Sequence, residues 1–371
     1  MKERRLIQVS PELGLAGGGA ALVGRLIARS AAWYCENLGV DFEVLHLGEG
    51  VRLLRDLAVT NFEGRQLSMA LALWACQTKR PHPALLFDAL GPARLQAFLP
   101  RLVRSPYALF LHGIEMWRQL SWDRRKAVKN AEFCLTNSTH TLQRTTEWAP
   151  WLPKTHILPL ALEDRPPAGK VDAQLLSRLG KGFLLIVGRM ASLERYKGHG
   201  ELLAAMPKVL AACPRAQLVV AGGGDDRERL TREAGTRGLG DSLTFTGFVS
   251  EATLAELYRR CAALVLPSRN EGFGLVYLEA MRAGKPCLAL RRSAAEEIVV
   301  DGVTGLLVEP GDTVQLVKAL VQLLSSAEMR SRLGEAGRKR WATQFTFDAF
   351  RNGLRPHLER LLVPASKNVR D

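Results

Sequence analysis

What the chain lacks narrows its possible roles first. No apolar run reaches the roughly 18 residues that a membrane-spanning helix needs. Met1-Lys-Glu-Arg-Arg5 leads straight into a strand pattern, which predicts no secretory leader. Cysteine is sparse and dispersed: Cys35, Cys76, Cys134, Cys213, Cys261 and Cys287 sit singly in mostly apolar surroundings, with no C-x-x-C pair. That pattern predicts reduced core thiols and a cytoplasmic setting, not a disulfide frame or a metal site. The zinc-finger, basic-zipper and RNA-recognition signatures are missing, so no nucleic-acid partner is expected. The dinucleotide fingerprint G-x-G-x-x-G with its later acidic residue is also missing, which disfavours a dehydrogenase.

Acidic residues are in deficit as well, 37 Asp and Glu against 51 Lys and Arg, for a net charge of +14. Up to Arg165 the balance is 21 basic against 15 acidic, or +6; the remainder carries 30 against 22, or +8. An excess spread over both halves argues against a single nucleic-acid stripe and favours small anionic partners such as nucleotide phosphates, headgroups or phosphorylated carriers. The sharpest local excess lies between Arg101 and Lys129, with Trp117 and Trp122 interleaved. Two readings apply there: a solvated helix face with core tryptophans, or a patch that meets an anionic membrane from the cytoplasmic side.

With 371 residues and 47% apolar content, two α/β domains fit better than one core. Short apolar runs alternate with helical segments along the whole chain: Leu6–Val9, Phe42–Leu47, Ala84–Phe87, Ala108–Leu111, Phe133–Thr136 and Thr155–Leu158 in the first half. That alternation predicts a parallel sheet covered on both faces. Glu163-Asp-Arg-Pro-Pro-Ala-Gly169 reads as a linker. A second series follows, at Phe183–Val187, Leu218–Ala221, Leu243–Phe245, Ala263–Leu266, Pro286–Leu290 and Asp301–Val308, and Trp341–Leu362 reads as a closing amphipathic helix. The expected domains are 1–164, 165–345 and a last helix within 346–371.

In doubly wound sheets the functional groups sit at the carboxyl ends of strands. Five places qualify, one of them Asn137 and Ser138, small polar groups at the end of Phe133–Thr136. Gly17, Gly18 and Gly19 lie between the first strand and first helix, where a phosphate cradle and a plain tight turn are both possible. His112 follows Leu109-Phe-Leu111; a structural histidine is the competing reading. Gly188 and Arg189 follow Phe183–Val187, with Lys197 separated from Arg189 by seven residues. Most informative is Glu271-Gly-Phe-Gly-Leu-Val-Tyr-Leu-Glu279, after the strand Ala263–Leu266. Helix formers begin at Leu275, and Gly284 then Pro286 should stop the helix. Glu271 should therefore sit before the helix and Glu279 inside it, roughly 10 Å further along the axis. Between them, the amides at Gly272 and Gly274 can approach an anion at the positive helix end. Two solvated acids on a surface helix would give the same spacing.

Val187-Gly-Arg189, Lys197-Gly-His199, Ala221-Gly-Gly-Gly224, Gly247-Phe-Val249 and Glu271 through Ala283, with Glu297-Ile-Val and Thr304–Val308, resemble the retaining, nucleotide-sugar-dependent glycosyltransferases of the GT-B fold, the group 1 or family four enzymes. The resemblance covers nearly the whole chain. It implies two Rossmann-like domains facing a cleft, with the last helix crossing back to the first domain. It implies a hexosyl transfer from a UDP- or GDP-sugar to an acceptor in polysaccharide, lipopolysaccharide or glycolipid synthesis, without metal or other cofactor. By the same resemblance Arg189 and Lys197 bind the donor diphosphate, and Phe248 and Val249 line the base pocket. Glu279 accepts from the ribose, Glu271 contacts the donor sugar, and the amides of Phe273, Gly274 and Leu275 hold phosphate or sugar. Gly17 to Gly19 approach the diphosphate and His112 lies by the sugar. The turn Pro159-Leu-Ala-Leu162 departs from the asparagine-glycine pair usual in relatives. A nucleotide-sugar epimerase on the same fold and a non-catalytic nucleotide-sugar-binding protein are the alternatives. The metal-dependent glycosyltransferase fold is disfavoured because the chain contains no Asp-x-Asp.

Overall fold

The computed structural model describes residues 5–14, 18–49, 54 and 56–362. The chain divides into two compact units, Met1–Glu163 with Phe347–Asp371, and Asp164–Thr346.

The first unit is a seven-stranded sheet of β1 (Arg5–Ser10), β2 (Asp41–His46), β3 (Val59–Asn61), β4 (Ala84–Phe87), β5 (Tyr107–Leu111), β6 (Phe133–Thr136) and β7 (Thr155–Ile157). Its order is β3-β2-β1-β4-β5-β6-β7 with every pairing parallel. β4, β5 and β6 are buried along their full length, as continuous apolar strands covered on both faces must be. β3 was not expected from the sequence: Val-Thr-Asn is three residues at a sheet edge, too short and too polar to register as a buried strand.

A polar pin ties the first helix, Gly18–Leu38, to this sheet. Gln8, fully buried in β1, donates from Nε2 to Gly24 O and to Asp88 Oδ2, both at 2.8 Å. A Cβ at position 24 would stand 2.7 Å from Asp88 Oδ2 and from Leu13 Cδ2, so only glycine permits this approach. One residue on, the buried Arg25 guanidinium grips Glu163 through two hydrogen bonds of 2.9 and 3.0 Å and also donates to Leu13 O and Gly14 O. It thereby joins the start of the glycine loop to the last residue of the unit's first segment.

The closing segment differs from the single helix Trp341–Leu362 read in the sequence. It is two helices, Ala327–Gln344 and Phe347–Leu362, broken where Phe345 leaves helical geometry (φ −126°, ψ 28°) and buries its ring against Phe273. The second of them packs on Gly18–Leu38 through its buried Phe350, Leu354, Leu358 and Leu361 face, with Arg351 stacked 4.3 Å over the Trp33 ring.

The second unit repeats the design with β8 (Leu184–Val187), β9 (Leu218–Ala221), β10 (Leu243–Gly247), β11 (Ala263–Leu266), β12 (Cys287–Leu290) and β13 (Gly305–Val308). The order β10-β9-β8-β11-β12-β13, again all parallel, is the doubly wound arrangement with strand direction of travel reversing between β8 and β11. The corresponding reversal in the first unit falls between β1 and β4. Each is the place where loops diverge and leave a crevice above the sheet.

Candidate active site

In the second unit the two loops that leave the sheet at the β8/β11 switch point carry the charged residues. The chain passes from β8 through Gly188 and Arg189 into a short 3₁₀ turn, Ser192–Lys197. Gly198 ends that turn with φ 89°, where a Cβ would meet Pro267 O at 2.5 Å. A glycine here lets the β8 loop press against Pro267, the first residue after β11. Lys197 Nζ is thereby brought to 2.7 Å from Glu271 Oε1. Both side chains are largely covered, 19% and 11% exposed. Burial by itself would lower the Lys197 pKa, but the Glu271 charge and hydrogen bond outweigh it and hold the ammonium above its ordinary value. Arg189, by contrast, is 69% exposed and pairs through Nη2 with Glu194 Oε1. His199, buried behind them at the start of the helix His199–Ala212, is pushed down to about 4 by burial and by Lys197. It is therefore neutral at physiological pH.

The glycines 222–224 after β9 serve close packing. A Cβ on Gly222 would lie 2.1 Å from Gly188 O and one on Gly224 2.0 Å from Met190 O. Next door, the Phe248 ring lies over Gly223 and is 81% exposed, with Val249 half-buried beyond it.

The Glu271 loop ends at Gly274 (φ 97°, ψ 62°), which opens the eight-residue helix Leu275–Arg282. Any Cβ at 274 would strike the Tyr277 ring at 2.5 Å, and Tyr277 in turn is anchored by its hydroxyl to Leu266 O at 2.8 Å. Phe273 turns its ring into the core, leaving its backbone toward the loop. Glu279 lies one turn inside the helix and accepts from the Tyr258 hydroxyl at 2.6 Å. Burial raises its pKa, partly offset by that hydrogen bond. Tyr258 occupies one of about four lone-pair positions of the carboxylate, so the group retains capacity for a hydroxyl pair.

In the first unit, Gly18 (φ 64°) and Gly19 are exposed at the start of the first helix, and Gly17 lies outside the described residues. His112 follows β5, half-buried. Its Nε2 is 2.7 Å from Asp88 O, a carbonyl, so that nitrogen carries the proton and Nδ1 is the basic one in the neutral ring. The ring is 5.1 Å from Phe110, and the His112 amide donates to Glu115 Oε1 at 2.6 Å. Beneath it the Asp88 carboxyl, at the end of β4, is pushed up to about 7 by burial despite hydrogen bonds from Ser10 and Gln8.

The family model "Glycosyl transferases group 1" matches residues 170–340, within the second unit. Among curated proteins, a mycobacterial enzyme from Mycolicibacterium smegmatis is 30% identical over 266 residues, 68% of each chain. The chain belongs to the group 1 glycosyltransferases. That relative's name is GDP-mannose-dependent alpha-(1-6)-phosphatidylinositol monomannoside mannosyltransferase. The alpha-D-kanosaminyltransferase of Streptomyces kanamyceticus is also 30% identical to this glycosyltransferase, over 72% of this chain and 70% of its own. In fold it resembles sucrose-phosphate synthase from Thermosynechococcus elongatus, with TM-score 0.76, 21% identity and 97% and 99% of the two chains covered. An Anabaena protein solved with UDP and glucose gives TM-score 0.76 at 18% identity, over 95% of this chain and 99% of its own. The doubly wound fold expected of such enzymes is the one observed.

Within the glycosyltransferase's second unit, Gly188, Arg189, Lys197, Phe248, Val249, Glu271, Phe273, Gly274 and Leu275 lie on loops or the helix start at the carboxyl edge of one sheet, and Glu279 lies one turn inside that helix. His112 and the described part of the glycine run occupy the same edge of the other sheet. Sequence reasoning missed the partners: Glu194 for Arg189, Tyr258 for Glu279, Asp88 beneath His112 and Arg25 behind the glycine loop. Only Glu194 left a trace, as an acid set between the two bases of one loop. The Trp117 and Trp122 pairing is corrected too. Trp122 is 62% exposed, but Trp117 packs against the core, with its ring edge toward His140 and Arg144 stacked on it at 4.2 Å.

Proposed function

We propose that this enzyme transfers a hexosyl group from a nucleoside-diphosphate sugar to an acceptor hydroxyl with retention at the anomeric carbon. The observation that carries the reading is the Lys197–Glu271 pair, with Arg189 beside it, set on the two loops that diverge at the β8/β11 switch point. A diphosphate leaving group needs positive charge where its own develops. Arg189, exposed and held by only one carboxylate, exchanges Glu194 for a phosphate oxygen; Lys197 sits deeper and follows the second phosphate. These two cations fill the role that a divalent ion has elsewhere, so the transfer is independent of metal. Glu271, positioned by Lys197, accepts from the sugar hydroxyls, and the amides of Phe273, Gly274 and Leu275 at the helix start hold phosphate or sugar. Glu279 takes the ribose diol and the backbone at Phe248 and Val249 the base. In the first unit, the glycine run 17–19 is assigned to the diphosphate and His112 to the sugar. In the reaction the bond from the anomeric carbon to the phosphate oxygen breaks. The acceptor oxygen bonds to that carbon on the same face, and its proton passes to the departing phosphate.

The named donors of relatives, GDP-mannose for the mycobacterial protein, and the UDP bound by the Anabaena protein, make GDP- and UDP-sugars the first donors to try. A glycolipid or glycan in polysaccharide or lipopolysaccharide synthesis is the proposed acceptor class, with a small-molecule acceptor next. A melting screen against UDP-, GDP-, ADP- and dTDP-sugars tests the donor: a cognate sugar at a hundredfold excess over Kd stabilises by about 2.7 kcal/mol. Nucleoside diphosphate release measured with and without acceptor then separates transfer from epimerisation. No stabilisation by any of the four, or sugar isomerisation without release, defeats the reading.

A further inference from the structure

The helix Gln66–Thr78 of the first unit has an unusual surface. It contains no charged residue, and it buries Met69, Leu73 and Gln77 against the sheet. Its opposite face, at i, i+4 and i+7, presents Leu67, Leu71 and Trp74, which are 82%, 66% and 54% exposed. Arg65 stands just before the helix, and Lys79 and Arg80 just after it. The loop before β5 adjoins its end: Arg80 Nη2 donates to Leu102 O at 3.3 Å, and Ser105 N donates to Gln77 Oε1 at 3.0 Å. That loop adds Phe98 and Leu102, also exposed, and Phe98 meets the exposed Trp122 ring at 5.7 Å. An open recess of about 920 Å³ beside it is lined by Arg101, Arg104, Lys126 and Lys129, with one acid, Glu132.

We propose that this face docks on the surface of an anionic lipid bilayer. The charge pattern selects the occupant. Between Gly64 and Ile114 the chain has a single acidic residue, Asp88, and it is buried. Asp123, in the neighbouring helix, is paired with Arg94. A second copy of the chain would bring the same positive face and be repelled. Exposed apolar side chains ringed by basic ones match an interface in which leucine and tryptophan enter the headgroup boundary while arginine and lysine meet phosphates. Lys126 stacked 4.8 Å from the Trp122 ring presents both kinds of group at one spot. Helix 66–78 lies in the interface plane, because its apolar stripe runs along its length rather than around it. The surface belongs wholly to the first unit, and the inference does not depend on the sugar-transfer reading.

Co-sedimentation with phosphatidylcholine vesicles, with and without phosphatidylglycerol, tests it. The wild type should partition onto the phosphatidylglycerol vesicles, less so as salt rises, and far less onto phosphatidylcholine alone. Leu71→Glu with Trp74→Glu should abolish binding to both. Arg101→Glu with Lys126→Glu should weaken the anionic binding by at least about 25-fold, since each basic residue near such a surface contributes about fivefold. All four positions are exposed, so the melting temperature and the donor-induced shift should be those of the wild type. Absence of wild-type binding to anionic vesicles, or binding indifferent to the Leu71 and Trp74 changes, overturns the proposal. A concentration-dependent dimer dissolved by those same changes would overturn it in favour of a second copy.

Discussion

Removing the Lys197 ammonium is the most informative perturbation. Nζ lies 2.7 Å from Glu271 Oε1, and Glu271 is itself 8% exposed. Lys197→Ala leaves a covered carboxylate without its cation. A hydrogen bond to a charged group is worth about 1.5–3 kcal/mol, and stranding one member of a well-buried pair costs up to about 3–5 kcal/mol. The pair retains some exposure, so about 2 kcal/mol is expected for the single variant, a fall of about 4–8 °C in melting temperature for a unit of this size. Glu271→Ala should cost less, and the double variant should be more stable than the sum of the two losses predicts, giving a coupling of about 1–2 kcal/mol. Catalysis should respond differently. Lys197→Ala should lower kcat/KM at least about a hundredfold, and the double variant should recover stability without recovering rate. The pH dependence has a defined sign. The Lys197 pKa is raised in the folded state, so its contribution is complete below the unfolded value of about 10.4 and fades as pH rises through the higher folded one. Thermal denaturation of the three variants with initial-rate kinetics is the assay. Strictly additive losses, or a single variant as stable as the wild type, would show that the pair is not formed in solution.

Other outcomes follow from the same geometry. Arg189→Ala should lose at least about a hundredfold in kcat/KM while melting as the wild type, because that side chain is mostly in solvent; near-normal kinetics would place the diphosphate elsewhere. Gly198→Ala should abolish activity and destabilise by more than about 1 kcal/mol, since it combines a left-handed backbone with a clash on Pro267; unchanged melting would refute the close approach. Asp88, pushed up to about 7, holds its proton better folded than unfolded, so stability should fall between about pH 4 and pH 7, by up to about 4 kcal/mol. Asp88→Asn should flatten that slope in pH-dependent denaturation. Tyr258→Phe should raise the Glu279 pKa further and move the acidic loss of donor affinity to higher pH, measured by titration calorimetry. Chelator treatment should leave the transfer rate unchanged, and activity lost to chelator and restored by magnesium would sink the metal-independent reading.

The sheets were legible because parallel strands buried on both faces are written as uninterrupted apolar runs. β4, β6, β9 and β11 appear in the sequence with the bounds they have in the structure. β3 escaped because an edge strand of three residues carries no such run. The break at Phe345 escaped because the amphipathic period continues across it; what interrupts the helix is a distant ring, Phe273. The positions of Arg189, Lys197, Glu271 and Glu279 were readable from glycines and strand ends. Their partners were not, since Glu194, Tyr258 and Asp88 meet them only through tertiary contact. Trp117 and Trp122 show the same limit: five residues apart, they look alike in the sequence, yet one is packed and the other is in solvent.

The packing of Phe347–Leu362 on the first helix has a bearing on how the chain is made. The second unit is inserted between two parts of the first, entering at Glu163–Asp164 and leaving at Thr346–Phe347. On the ribosome the inserted unit has all of its strands available while the first unit still lacks its last helix. Until Phe350, Leu354, Leu358 and Leu361 emerge, the face of Gly18–Leu38 that they cover has no lid, and a chain stalled earlier would expose it to chaperones and proteases.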